Sequence, residues 1–526
     1  MSIDAANTDS KAALLSRRDF LKAAGVSLLA AVPAWGKSGR ANVLLLFSDQ
    51  HHAGAMGCAG HPIVKTPTMD RLAAGGIRFC RAYCQDGICV PSRTSMMTGL
   101  YPRTTGCLDN PNNPVEPGRY VMLHHLFKQN GYATGCFGKR HLPRNEMALG
   151  WNSSATTINP KLDPSDENYH DWLKENDLYE KYLQGAGDAI MDSNLFCRIS
   201  KLTAEQRDAA STAEKTVAFL KHCKASDAPF FCWATFHGPH HPYTPPQKWA
   251  DMYKAQDMTL PANVDEPIEN LPPELQGWRR NKKTPWNLGA AAENKDLYRT
   301  YLAYYYAQVT EVDHYMGVIV EQLNRLGLAE NTIIIYASDH GDFTAHHGMT
   351  EKCALGHNVY EDTLRVPLII SWPGRFAEGI VCESLVELLD LYPTLVELLK
   401  LRAPAKMQTL AGISLKPALT EGNSPAREYA FSENWSQVTV IGKRYKLGRW
   451  IDPGPLPKYR IRDNRKRCRD MLFDLQEDRL ETENQIDNAQ LVEVTGELEH
   501  ALQEWIAKTP AGGRDKLVER QLKQSR

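Results

Sequence analysis

The stretch Asn42-Val43-Leu44-Leu45-Leu46-Phe47-Ser48, running directly into Asp49-Gln50-His51-His52, decides the fold. A short, continuous apolar run of this kind reads as a buried strand. Four more runs read the same way: Tyr132 to Phe137 (YATGCF), Pro229 to Phe236 (PFFCWATF), Thr332 to Ser338 (TIIIYAS) and Val366 to Ser371 (VPLIIS). Helical patterns lie between them. Val309, Val312, Met316, Ile319 and Leu323 recur at three- and four-residue steps, as one face of a helix does. Strands bounded by helices predict an α/β domain with a mainly parallel sheet covered on both faces. Ligands of such sheets bind outside the carboxyl ends of the strands. Four of the runs are followed there by ionisable clusters: Asp49-Gln50-His51-His52, Gly138-Lys139-Arg140-His141, His237-Gly238-Pro239-His240-His241 and Asp339-His340-Gly341-Asp342. A solvated loop explains any one of them; four together predict a single site on one edge of the sheet.

The whole chain, 526 residues with 42% hydrophobic and 23% charged, has material for a large core and suits a large α/β domain with a smaller companion. A formal net charge of -1 gives no global field toward nucleic acid or acidic membranes. The first residues read differently. Arg17-Arg18 precede an apolar stretch from Ala23 to Ala34, and Val32-Pro33-Ala34 offers small residues for cleavage. This resembles a twin-arginine export signal over 1–34, which predicts a periplasmic or secreted protein. The apolar stretch is too short to span a bilayer, and no Cys near the cleavage point offers a lipid anchor, so no stable membrane anchor is expected. The twelve Cys show neither a framework nor zinc-type spacing, so few disulfides are expected. Residues 35–425 form the expected main domain, with polar insertions at about 142–228 and 242–294. From 426 to 526, short alternating runs and a helical face (Leu491, Val494, Leu498, Ala501, Trp505) predict an α+β subdomain with an antiparallel sheet, ending in a polar tail.

Cys89-Val90-Pro91-Ser92-Arg93-Thr94, continuing to Thr98-Gly99-Leu100-Tyr101-Pro102, is the sharpest motif. Pro91 and Ser92 suit the first turn of a helix. A helix starting there aims free N–H groups and its positive dipole end at residue 89, a favourable place for an oxyanion. Arg93, four residues on, shares its face. Here the sequence resembles the sulfatase family, whose signature is C-x-P-S-R followed by a T-G turn. Gly131-Tyr132-Ala133-Thr134 through Gly138-Lys139-Arg140-His141 resembles the family's second signature. Asp362 to Gly374 and Met471 to Asn484 are also similar to sulfatases, so the resemblance covers nearly all of the mature chain. It implies an alkaline-phosphatase-like α/β/α sandwich with a small C-terminal α+β domain.

The resemblance further implies that a separate maturation enzyme oxidises Cys89 to formylglycine. It implies a divalent cation held by Asp49, Gln50, Asp339, His340 and residue 89, with Ca²⁺ expected first and Mg²⁺ second. Gln50 and His340 stand where many relatives carry Asp and Asn, which lowers the charge of the site. The implied catalytic set is Cys89, Arg93, Lys139, His141, His240 and Lys352. Lys139 would bind sulfate, and His141 would orient the formylglycine. His240 would touch substrate in competition with His237 and His241, and Lys352 matches iduronate-sulfatase-like members. His346 and His347 are further candidate substrate contacts. In the implied reaction one hydroxyl of the hydrated aldehyde attacks sulfur, with Asp339 accepting its proton and His240 or Lys352 protonating the leaving oxygen. The second hydroxyl, deprotonated by His141, then expels sulfate. The expected substrate is a sulfated oligosaccharide. The alternatives are a choline or aryl sulfatase, a phosphonate monoester or phosphodiester hydrolase of the same fold, and an unmatured sulfoglycan-binding protein.

Overall fold

The computed structural model describes residues 39–509 except 111–114, 116–117, 144–149, 159–166, 187–196, 281–294, 353–357, 423–424, 426, 435–436 and 451–468. The export-type segment, the polar tail and the 425/426 boundary therefore touch or lie outside the described residues. Among the described residues the main sheet has nine strands. Its centre is, side by side, Thr332–Ser338, Asn42–Asp49, Phe230–Pro239 and Ala133–Gly138, all parallel. Ser153–Thr156 and Glu167–Asn168 extend the parallel part at one edge. At the other edge Leu368–Ser371 runs antiparallel to Thr332–Ser338 and to Ile77–Phe79.

The first strand is apolar from Val43 to Phe47 because its two faces meet two different helix layers. Val43, Leu45 and Phe47 pack with Met96, Met97, Leu126, Phe127 and Leu395 from helices Cys89–Thr98, Leu123–Gln129 and Leu391–Leu399. Leu44 and Leu46 pack with Phe219, Leu220, Met316, Ile319 and Leu323 from helices Asp208–Ala225 and Lys295–Arg325. The expected face Val309, Val312, Met316, Ile319 and Leu323 is buried in full. The result is the α/β/α sandwich the strand pattern predicts.

One predicted strand is divided. Val366 to Ser371 splits at Pro367, which has no N–H to give a ladder. Arg365–Val366 joins a small three-stranded sheet, while Leu368–Ser371 stays in the main one. Toward the C-terminus a separate antiparallel sheet runs Ala430–Asn434, Gln437–Ile441, Tyr445–Trp450, Met471–Asp474. Its apolar face (Val438, Val440, Leu447, Leu472) is covered by Leu498, Leu502, Trp505 and Ile506 of the helix Val492–Lys508. Lys446 of this sheet is fully buried and pairs with Glu361 at 3.2 Å and with Glu481, tying the sheet to the segment beside the site. All ten described cysteines are free thiols, and among the described residues no helix is long and apolar enough to cross a membrane.

Gly138 is where the strand Ala133–Gly138 turns into Lys139. Its φ is +102°, and a Cβ there would lie 1.9 Å from the Thr235 carbonyl oxygen of the neighbouring strand. Backbone cannot yield to such a contact. Gly138→Ala should lower unfolding free energy in a denaturant titration by about 2 kcal/mol or more; an unchanged midpoint would contradict this register.

Candidate active site

Parallel register carries the four ionisable clusters to neighbouring strand ends. Ser48 pairs with Ser338 and Gly138 with Thr235, so Asp49, Asp339, Lys139 and the His237–His241 segment emerge together. The helix Cys89–Thr98 lies across them with Cys89 as its first residue. One of its leading amides is already taken, since Val90 N–H donates to Asn110 Oδ1 at 3.0 Å. The helix start is thus less open to an anion than the sequence pattern suggests.

Arg93 is completely buried and forks between the two strand ends. Its Nε donates to Asp339 Oδ2 at 2.7 Å and its Nη2 to Asp49 Oδ2 at 2.9 Å. Nη1 donates to the Lys139 carbonyl and to Thr235 Oγ1. Lys139 Nζ adds a second cation on Asp49 Oδ2 at 2.7 Å. Burial opposes ionisation of Asp49, but Lys139, His240, Arg93 and His340 outweigh it and hold the carboxyl well below its usual range. Asp339 Oδ1 accepts the backbone N–H of Gln50 and of His340, both at 3.0 Å. Both oxygens of Asp339 are therefore engaged by N–H donors.

The other oxygen of Asp49 faces Cys89 Sγ and His340 Nε2, both at 3.8 Å, and those two atoms lie 3.2 Å apart. His340 Nδ1 donates to the Gly341 carbonyl at 2.9 Å, which leaves Nε2 as a lone pair aimed at this point. One ligand atom each from Asp49, Cys89, Asp339 and His340 lies within 4.8 Å of the others. Two carboxylates, an imidazole lone pair and a sulfur position converging on one buried point fit a divalent cation. Burial, then Asp49, pushes the Cys89 thiol up to about 12, so as a thiol it is neutral.

Gln50 sits beside this cluster in the left-handed region (φ +63°). Its Nε2 donates to Asp342 Oδ2 at 2.8 Å and Tyr243 OH at 3.1 Å, while its Oε1 accepts from Lys352 Nζ at 2.9 Å. A carboxylate on one side and an ammonium on the other fix which amide atom is which. Lys352 Nζ also donates to Glu351 Oε1 at 3.0 Å and to His240 Nε2 at 3.3 Å. His240 Nδ1 lies 2.6 Å from the His241 carbonyl and must donate there, so its Nε2 is an acceptor. Burial lowers the Lys352 pKa, but Glu351 and the other nearby anionic groups raise it above the ordinary lysine value. Burial, His241, Lys139 and Lys352 push His240 well below the ordinary histidine value. The proton of this pair therefore resides on Lys352. His141, also in the left-handed region, lies within electrostatic reach of Lys139, Arg93, Asp49 and Lys352. Its buried Nδ1 makes no hydrogen bond among the described residues.

The predicted residues Asp49, Gln50, Cys89, Arg93, Lys139, His240, Asp339, His340 and Lys352 thus meet in one place. His347 does not join them. It is fully buried, with its Nδ1 on the Glu266 carboxylate and its Nε2 toward Asp362. Asp342, Glu351, Tyr243, Tyr301 and Tyr305 were not anticipated. Tyr301 OH donates to Asp342 Oδ1 and Tyr305 OH donates to the Gln50 carbonyl, so one face of a long helix clamps the strained residue. Asp342 stands in the same D-H-G-D cluster as Asp339, and Glu351 adjoins Lys352; those adjacencies were the available signal.

Residues 41–401 match the sulfatase family model, and residues 346–508 match that of the C-terminal region of N-sulphoglucosamine sulphohydrolase. The chain belongs to the sulfatase family and is a sulfuric ester hydrolase. It is similar to the iduronate 2-sulfatase of Homo sapiens, 30% identical over 400 residues, covering 69% of this chain and 70% of that protein. It is also similar to an arylsulfatase of Clostridium perfringens (28% identical, 75% of this chain and 81% of the relative). In fold it is similar to the phosphonate monoester hydrolase of Agrobacterium radiobacter, with a TM-score of 0.71 at 23% identity, over 90% of this chain and 96% of that one.

Glu351 supplies a pH test of this geometry. Burial opposes its ionisation, but Lys352 and His241 hold it well below the ordinary glutamate value. A carboxyl depressed in the folded state contributes stability above its unfolded pKa, and that contribution disappears as pH falls through the folded pKa. Unfolding free energy of the wild type should decline as pH drops below about 4.3. Glu351→Gln should be less stable at neutral pH and show a shallower decline; parallel curves would contradict the ion pair.

Proposed function

We propose that this chain is an exported sulfatase that removes sulfate esters from sulfated carbohydrates, using formylglycine made from Cys89 and a bound divalent cation. The observation that carries the reading is the convergence of Cys89, Asp49, Asp339 and His340 on one buried point, with Lys139, His240 and Lys352 around it. The Arg17-Arg18 segment supports export to the periplasm or beyond, and Cys89-x-Pro91-Ser92-Arg93 supports recognition by a formylglycine-generating maturation enzyme. Residues 35–425 would form the catalytic domain and 426–526 the C-terminal subdomain.

Asp49, Asp339, His340 and residue 89 would hold the cation. Gln50 can add its amide oxygen only by sharing it with Lys352. The oxygen-dominated donor set favours Ca²⁺ over softer ions, with Mg²⁺ the next candidate. When bound, the cation would polarise a sulfate oxygen and draw off negative charge. The formylglycine would supply a hydrated aldehyde oxygen as nucleophile, which a neutral buried thiol cannot. The chain's own residues do the rest. Arg93 holds Asp49 and Asp339 in place. Lys139 faces the anionic substrate from the Asp49 side, and His141 offers a free ring nitrogen to accept a proton. Lys352 passes its proton to the leaving oxygen directly or through His240 Nε2.

A cleft opens beside His240, lined by His237, Arg207, Asp208, Tyr169 and Tyr182. The likeness to an iduronate sulfatase supports a carbohydrate substrate. The test compares a sulfated monosaccharide panel, an aryl sulfate and a phosphonate monoester. Wild type should prefer a sugar sulfate, and Cys89→Ala should turn over none of them. His240→Ala and Lys352→Met should lower kcat for the sugar sulfate by about 10²- to 10⁴-fold. They should lower it much less for an aryl sulfate, whose leaving phenol needs little protonation. Equal losses on both would remove the pair from leaving-group protonation, and preference for the phosphonate would overturn the assignment.

A further inference from the structure

Apart from the catalytic cluster, another set of metal-type donors converges. His52 lies three residues beyond the first strand, His346 and His347 lie on the loop after Thr344, and Asp362 lies in the short helix Glu361–Leu364. One ligand atom each from His52, His346 and Asp362 lies within 4.8 Å of the others. His52 Nδ1 accepts the Gly54 N–H at 3.1 Å and its Nε2 donates to Asp362 Oδ1 at 3.1 Å, so an ion would take the place of that ring proton; His346 Nδ1 lies 3.8 Å from the same oxygen. The two rings stack 5.7 Å apart, 18° from parallel. On the other side His347 Nε2 stands 3.6 Å from Asp362 Oδ2, buried and without a hydrogen bond. The Nδ1 of His347 is held by the Glu266 carboxylate.

A carboxylate on Nδ1, turning Nε2 toward the cluster, is the arrangement that orients metal-binding histidines. Here Nε2 faces Asp362 Oδ2 while Glu266 holds Nδ1, so two carboxylates flank one buried ring and favour positive charge on it or on an ion beside it. The donor separations bracket the roughly 3.3 Å expected between ligands of a tetrahedral ion with bonds near 2 Å. Imidazole nitrogens with one carboxylate select a borderline ion over Ca²⁺ or Mg²⁺. Side chains of His52, Asp362 and His346 are 13%, 12% and 21% exposed, so an ion has a way in.

We propose that His52, His346 and Asp362 bind a divalent transition-metal ion of the Zn²⁺ class, with His347 as the adjacent further donor and Glu266 positioning it. The ion would pin together three segments that frame the active site. His52 N–H donates to Tyr305 OH, and Tyr305 OH donates to the Gln50 carbonyl, each at 2.8 Å, so the pin stands two hydrogen bonds behind Gln50.

The test uses the untagged full chain, stripped by chelator and returned to excess Ca²⁺. Zn²⁺ is titrated by calorimetry and Co²⁺ by visible absorption. The expected result is uptake of one Zn²⁺ per chain and an intense four-coordinate Co²⁺ spectrum. Glu266→Gln should weaken zinc binding about 10- to 100-fold, and His346→Asn should weaken it further, with unchanged circular dichroism. Asp339→Asn, altered in the catalytic cluster, should bind zinc like the wild type. No zinc uptake by the wild type, equal affinity in His346→Asn, or loss only in Asp339→Asn would each overturn the proposal.

Discussion

Everything at this site hangs on one buried guanidinium. Asp49 and Asp339 end adjacent parallel strands, and two uncompensated carboxylates there would cost several kcal/mol each. Arg93 reaches both with separate nitrogens of a single planar group, a geometry a lysine cannot copy. The same contact docks the helix Cys89–Thr98 across the strand ends. Because Cys89 precedes Arg93 by one helical turn, fixing the arginine also delivers residue 89 to the side of Asp49. Lys139 then doubles the positive charge on one oxygen of Asp49 and leaves the opposite oxygen facing His340 and Cys89.

Around that centre the protein stores strain and resolves it with hydrogen bonds. Gln50, His141 and Glu351 all adopt left-handed backbone, and each adjoins or belongs to a charged contact of the site. Such conformations persist only where the surroundings over-determine them. For Gln50 the surroundings are explicit: Asp342, Tyr243, Lys352 and Tyr305 hold both ends of the amide and the carbonyl. Lys352 gives all three of its protons to Gln50, Glu351 and His240, so its charge is placed by three partners.

Much of this was legible in the sequence because it is local. Thr332 to Ser338 was readable to the residue, since a buried parallel strand is apolar on both faces. The polar groups at four strand ends pointed to one edge, and parallel register joined them. Val366 to Ser371 misled because hydrophobicity does not report which sheet a residue joins; Pro367 divides it. The partners of Gln50 were illegible for a different reason. Tyr243 and Tyr305 come from segments far along the chain, and nothing in either segment encodes a contact with Gln50. The same holds for His347, whose Nδ1 is held by a carboxylate from a distant segment, Glu266.

The central proposal is that Cys89 is converted to formylglycine, which this site then uses as the nucleophile. High-accuracy mass spectrometry of the peptide spanning residue 89 tests it most directly, on protein made in a host shown to mature a control sulfatase. The account predicts the mass of an aldehyde, or its hydrate, in place of the cysteine side chain. It also predicts sulfate ester turnover in proportion to the converted fraction. Unmodified cysteine in protein that still hydrolyses sulfate esters would contradict it.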